Sequence, residues 1–81
     1  MFAKLFDSAE HGQILVKADT DTNCKPEIRF YFEPKDYGVC SMALTYTDTD
    51  DGFDKRDSAF EKIDCAFAEK LVGETKSKIG V

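Results

Sequence analysis

Long apolar runs are missing from this 81-residue chain. No stretch approaches the roughly 18 apolar residues that a membrane-spanning helix needs, so no transmembrane segment is expected. The opening MFAKLFD is too short an apolar run for a secretory signal, and no cleavage-site pattern follows it. Close cysteine pairs are missing too. Cys24, Cys40 and Cys65 are odd in number and at least sixteen residues apart, which argues against a zinc or CxxC redox site and for free thiols in a reducing compartment. Together these features predict a cytoplasmic protein.

Bases are in deficit. Eleven Lys and Arg face sixteen Asp and Glu, for a net charge of −5 and an isoelectric point near 4.7. Nonspecific attraction to phosphate backbones is therefore absent or repulsive, and a basic protein surface is the expected partner, with no direct nucleic-acid or membrane contact. Histidine occurs once, as His11 in a turn, where an exposed loop side chain is the ordinary expectation. GxxxxGK[ST], GxGxxG and GxSxG are all absent. The sequence thus offers no catalytic group, metal site or cofactor, and the expectation is a non-catalytic protein.

What is present is a globular balance, 42% hydrophobic and 33% charged, with seven Phe and three Tyr to fill one core. At this length about 60% of the unfolded surface is buried, which suffices for a single domain with a thin margin, and dimerisation would widen it. The expected domain covers residues 1–73, followed by a polar tail over 74–81 that is frayed or weakly helical.

Four segments read as strands. Phe2 to Phe6 is short and apolar, read as strand with a helical turn as the competing reading. DSAEHG forms a reversing loop with Gly12 available for positive φ, and Gln13 to Ala18 is β-branched. The polar DTDTNCKP connection ends in Pro26. Glu27 to Glu33 alternates most clearly, with Ile28, Phe30 and Phe32 against Glu27, Arg29, Tyr31 and Glu33. PKDYG is turn chemistry, and Val39 to Thr47 alternates again to complete a hairpin.

Phe53 to Leu71 carries helical periodicity, with Phe53, Phe60, Ile63, Phe67 and Leu71 on one stripe and Ala59 and Ala66 flanking it. Asp54 is its expected N-cap, with Asp57 at the capping-box position and Asp51 as a rival cap; Gly73 is the expected C′ residue. The expected architecture is a two-layer ββββα domain of the α+β class, an antiparallel meander with one C-terminal amphipathic helix on one face. The apolar sheet face would be Ile14, Val16, Ile28, Phe30, Phe32, Met42, Leu44 and Tyr46. The opposite face is mixed, and Leu15, Arg29, Tyr31 and Ala43 are its candidate dimer face. Arg29 and Tyr31 also raise the reading of an aromatic sheet that stacks on RNA bases, which the flanking glutamates oppose.

In a meander the loops after the second and fourth strands share one end of the domain. Asp19 and Asp21 come from the first loop, and Asp48, Asp50, Asp51, Asp54 and Asp57 from the second and the helix start. With Lys55 and Arg56 alone inside that set, seven acids less two bases account for the whole net charge. Those seven are the candidate partner-binding residues, since a concentrated patch of one sign steers association. Acids also gather there simply to start a helix, close turns and solvate loops. A divalent-cation or small-molecule module on the same loops is the alternative. An EF-hand register with its glycine at Gly52 begins at Thr47, continues through Thr49 and ends at Ser58, so it fails at three ligand positions. In smallness and acidity the chain is similar in kind to phage-encoded inhibitors of host defence or of nucleic-acid-binding proteins, a likeness that no motif carries.

Overall fold

Each alternating segment becomes a strand, and the strands pair in chain order. The computed structural model describes residues 3–80; within it β1 (Ala3–Ser8), β2 (Gly12–Thr20), β3 (Pro26–Phe32) and β4 (Cys40–Thr45) form one antiparallel sheet in the order β1-β2-β3-β4. Phe2, read as the start of the first strand, lies outside the described residues. Gly12 takes the positive φ that the first reversal needs, +74°. The β3–β4 turn is closed by Tyr37 N–H donating to the Pro34 carbonyl at 3.0 Å. Pro26 opens β3 instead of ending the loop before it, a position where a strand tolerates a missing donor. The register pairs Leu15 with Tyr31, Lys17 with Arg29 and Arg29 with Ala43.

One face of this sheet is the core. Ile14, Val16, Ile28, Phe30 and Phe32 are buried there, and Met42, Leu44 and Tyr46 are partly buried against them. The covering layer differs from the expected single helix. It is two helices, α1 (Asp50–Lys62) and α2 (Cys65–Ile79), separated by extended residues at Ile63 and Asp64. A straight helix from Asp50 to Ile79 would run about 45 Å at 1.5 Å per residue, more than the 39 Å of the molecule's longest dimension. The break folds the second half back over β1.

Two side chains define the break. Asp64 caps α2, its carboxylate accepting from Phe67 N–H at 2.9 Å. Lys4 reaches from β1 to the C-terminal end of α1, donating to the carbonyls of Phe60, Glu61 and Ile63 at 2.7, 3.2 and 3.1 Å, with its ammonium 4.8 Å from the Phe60 ring centre. A cation thus meets carbonyl groups at the negative end of the helix dipole, where the Phe60 carbonyl also accepts from Ile63 N–H at 3.2 Å.

The break also shifts the apolar phase. Phe60 and Ile63 are buried as expected, but in α2 the buried residues are Ala68 and Val72; Leu71 is partly buried, and Phe67 and Ala66 are exposed. The caps move accordingly. Thr49, not Asp54 or Asp51, caps α1, its hydroxyl accepting from Gly52 N–H at 3.0 Å. Asp57 makes no capping box and pairs with Arg56 instead. Gly73 lies inside α2, which continues through the segment read as a polar tail and ends at Gly80, whose φ of +82° is the left-handed conformation of a helix C-cap.

Candidate interaction surface

The strand register sets the site. Thr20 opposes Pro26 and Glu27 opposes Thr45, so the β2–β3 and β4–α1 loops emerge at one end of the sheet. Tyr46 N–H donates to the Pro26 carbonyl at 2.9 Å, stitching the second loop to the start of β3. Arg56 Nη1 donates to the Asp19 carbonyl oxygen at 2.8 Å and ties α1 to the end of β2. All seven candidate acids therefore sit on segments at one pole.

They do not all do the same work. Asp21 organises its own loop, with one carboxylate oxygen accepting from Asn23 and Lys25 N–H at 2.8 and 2.9 Å. This holds Cys24 at a φ of +63°. Asp19 accepts from Thr20 N–H at 2.8 Å. Asp57 receives both Nε and Nη2 of Arg56, at 3.0 and 2.8 Å. Asp51 pairs with Lys55 at 3.0 Å, one turn on; both side chains are well exposed, so the pair contributes about 0–1 kcal/mol. Asp48, Asp50 and Asp54 are exposed, and among the described residues their carboxylates have no partner. They are the part of the pole left free for another molecule.

Arg56 is misplaced by sequence reasoning. Counted among the bases that offset the acidic pole, it is buried, with its guanidinium 5.1 Å from the Phe53 ring centre and its donors spent on Asp19 and Asp57. The signal was there in part: Gly52, Arg56 and Phe60 are four apart and form the buried face of α1. With Arg56 turned inward, Lys55 is the exposed cation among the acids, and Lys25 and Lys55 together border a shallow hollow of about 450 Å³ between the two loops. Gly52 faces that hollow's floor. A Cβ there would overlap the Thr47 carbonyl oxygen, so the loop can close onto the helix start only past a glycine.

The open sheet face brings Leu15, Arg29, Tyr31 and Ala43 together as neighbours across strands, each half-buried. Arg29 lies flat on it, donating Nε and Nη2 to the two oxygens of Glu27 at 2.7 and 3.0 Å and Nη1 to Ser41 Oγ at 2.9 Å. Hydrogen bonding to Glu27 raises the guanidinium above its ordinary range, against a smaller lowering by burial. Its donors are committed within the face rather than held out to a base.

At the opposite pole His11 is not an exposed loop side chain. Its side chain is 6% exposed and lies against Gly73 of α2, with Lys76 Nζ 3.1 Å from Nδ1 and Glu10 3.8 Å from Nε2. The turn before it is held by Ser8, whose hydroxyl accepts from the N–H groups of Glu10 and His11 and donates to Glu69 at 2.6 Å. The continuation of α2 past Gly73 is what covers His11. The three cysteines form no disulfide: Cys24 is exposed, Cys40 packed at the edge of the core, Cys65 half-buried at the start of α2. Partial desolvation first, then the Glu69, Asp64 and Asp7 oxygens, push the Cys65 thiol up.

Among the described residues no three His, Cys, Asp or Glu side chains come together as a metal-holding group, and no helix is long and apolar enough to cross a membrane. No protein-family model matches the chain, nor does any curated protein or solved structure.

Proposed function

We propose that the protein is a non-catalytic interaction domain, acting in the cytoplasm, whose acidic pole docks on a basic surface of another protein. A surface that binds nucleic acid is basic of necessity, so a nucleic-acid-handling protein, including one of a host defence system, is the partner class that fits best. The carrying observation is the division of labour within the pole. Asp19, Asp21 and Asp57 are consumed in building it, whereas Asp48, Asp50 and Asp54 stand exposed and unpaired on one short stretch, held by a capped helix start and the buried Arg56. Unneutralised carboxylates on a rigid base lose little entropy on meeting Lys and Arg, and their like-charge repulsion is relieved by docking.

The test is affinity capture followed by titration calorimetry against the captured protein. The expected result is binding that weakens steeply with salt and that collapses when Asp48, Asp50 and Asp54 are replaced by Lys. A captured partner that binds the triple variant as tightly as the parent chain overturns the proposal.

A further inference from the structure

The sheet has two edges, and they are unlike. β1 carries Lys4 and Asp7 and is leaned upon by α2. β4, Cys-Ser-Met-Ala-Leu-Thr, carries no charge at all in a chain that is one-third charged. Every second residue of an edge strand turns its N–H and C=O away from its one neighbour, and proteins ordinarily blunt such an edge with Lys, Pro, a bulge or a covering segment. None of these devices is present on β4.

The helices also stop short of it. α1 lies over β2 and β3, and α2 over β1, β2 and β3, so Met42 and Leu44, which point to the core side, stay only partly buried. Beside them runs an apolar groove of about 220 Å³ lined by Leu44, Tyr46, Ala59, Lys62, Ile63 and Phe67. Phe67, 40% exposed, forms its outer wall, with its ring centre 6.5 Å from that of Phe30. An unpaired backbone and an unfinished core layer therefore coincide along one strand.

We infer that β4 is a dimerisation edge and that its occupant is β4 of a second copy, paired antiparallel in a register centred on Ala43. Three observations select a second copy. The parity is right: in that register Met42 opposes the partner's Leu44 on the core side, and Ser41 opposes the partner's Thr45 on the open side, so apolar meets apolar and hydroxyl meets hydroxyl. The charge is right as well. Antiparallel pairing sends the two acidic poles to opposite ends of the joined sheet, and no charged side chain is carried into the seam by either strand. The geometry is self-completing, because a two-fold axis perpendicular to the sheet keeps both helical layers on one side. Each half-open groove, at the Leu44 and Tyr46 end of β4, is then bordered by Met42 and Cys40 of the second copy, which extends the apolar cover beside Phe67. The inference is independent of what the acidic pole binds.

Sedimentation equilibrium of the full chain over a wide concentration range tests it, with variants Met42→Lys at the edge, Phe67→Glu in the groove wall, and Leu15→Glu on the open face. The expected result is a dimer that Met42→Lys and Phe67→Glu each dissociate at least tenfold more readily, and that Leu15→Glu leaves intact. Circular dichroism checks that each variant is folded; if Met42→Lys is not, Phe67→Glu carries the test because its side chain is already largely at the surface. A chain that remains monomeric at the highest concentration overturns the inference and leaves the edge to a strand of another protein. A dimer lost in Leu15→Glu but kept in Phe67→Glu overturns it in favour of stacking through the open face.

Discussion

Arg56 and Asp19 are 37 positions apart in sequence and joined by a single hydrogen bond, guanidinium Nη1 to main-chain carbonyl at 2.8 Å. That bond fixes the second turn of α1 against the end of β2, between the two acidic loops. The same guanidinium neutralises Asp57 from inside. The pole thus has a buried cation at its base and free carboxylates on its rim.

Arg56→Ala should be costly for this reason. It takes the Arg56 donors from a partly buried carbonyl and a half-buried carboxylate, and the expected loss is about 2–4 kcal/mol. A urea titration reads it as a fall in midpoint with an unchanged slope. Unchanged stability would mean that the contact with Asp19 holds nothing.

Gly52→Ala discriminates between two opposed effects. In an ordinary exposed helix position the substitution would stabilise by about 1 kcal/mol through helix propensity. Here the new methyl overlaps the Thr47 carbonyl, which must move and take the Thr49 cap with it. The expected sign is destabilising, by about 1–3 kcal/mol, with a loss of helical signal in circular dichroism.

Cys65 should alkylate slowly. Its thiol is held above the ordinary range by partial burial and by the nearby Glu69, Asp64 and Asp7 oxygens, so at any pH near neutrality less of it is thiolate in the folded protein than in the unfolded chain. The sign for stability follows. The folded state retains this proton longer, so its contribution is present below the thiol's unfolded pKa and lost as pH rises through the raised folded value. Peptide-level mass spectrometry after iodoacetamide treatment, with and without urea, checks the rate; equal rates in the two states would contradict it.

The sheet was legible in the chain because its signals are local. Ile28, Phe30 and Phe32 alternate with charged and polar neighbours, Pro26 and Pro34 punctuate the strand between them, and Gly12 supplies one required positive φ. Period two allows a single assignment of faces, and short polar connections allow a single order of strands. The common pole of the seven acids followed from that order without any knowledge of side-chain contacts.

The helical layer was legible only as helical. Phe53 to Leu71 reads as one stripe because Ile63 and Asp64 contain neither Gly nor Pro, and the break there is secured by Lys4, 56 positions before Phe60. Local signals place His11 in an exposed turn and count Arg56 only as a base of the acidic pole, because the helix that covers one and the carbonyl that draws the other inward belong to distant parts of the chain. Periodicity and turn chemistry act over a few residues and survive in any sequence window. Where a helix ends, which charges are buried and which carboxylates stay free depend on groups that meet after the chain has folded, and at this pole they leave Asp48, Asp50 and Asp54 facing outward.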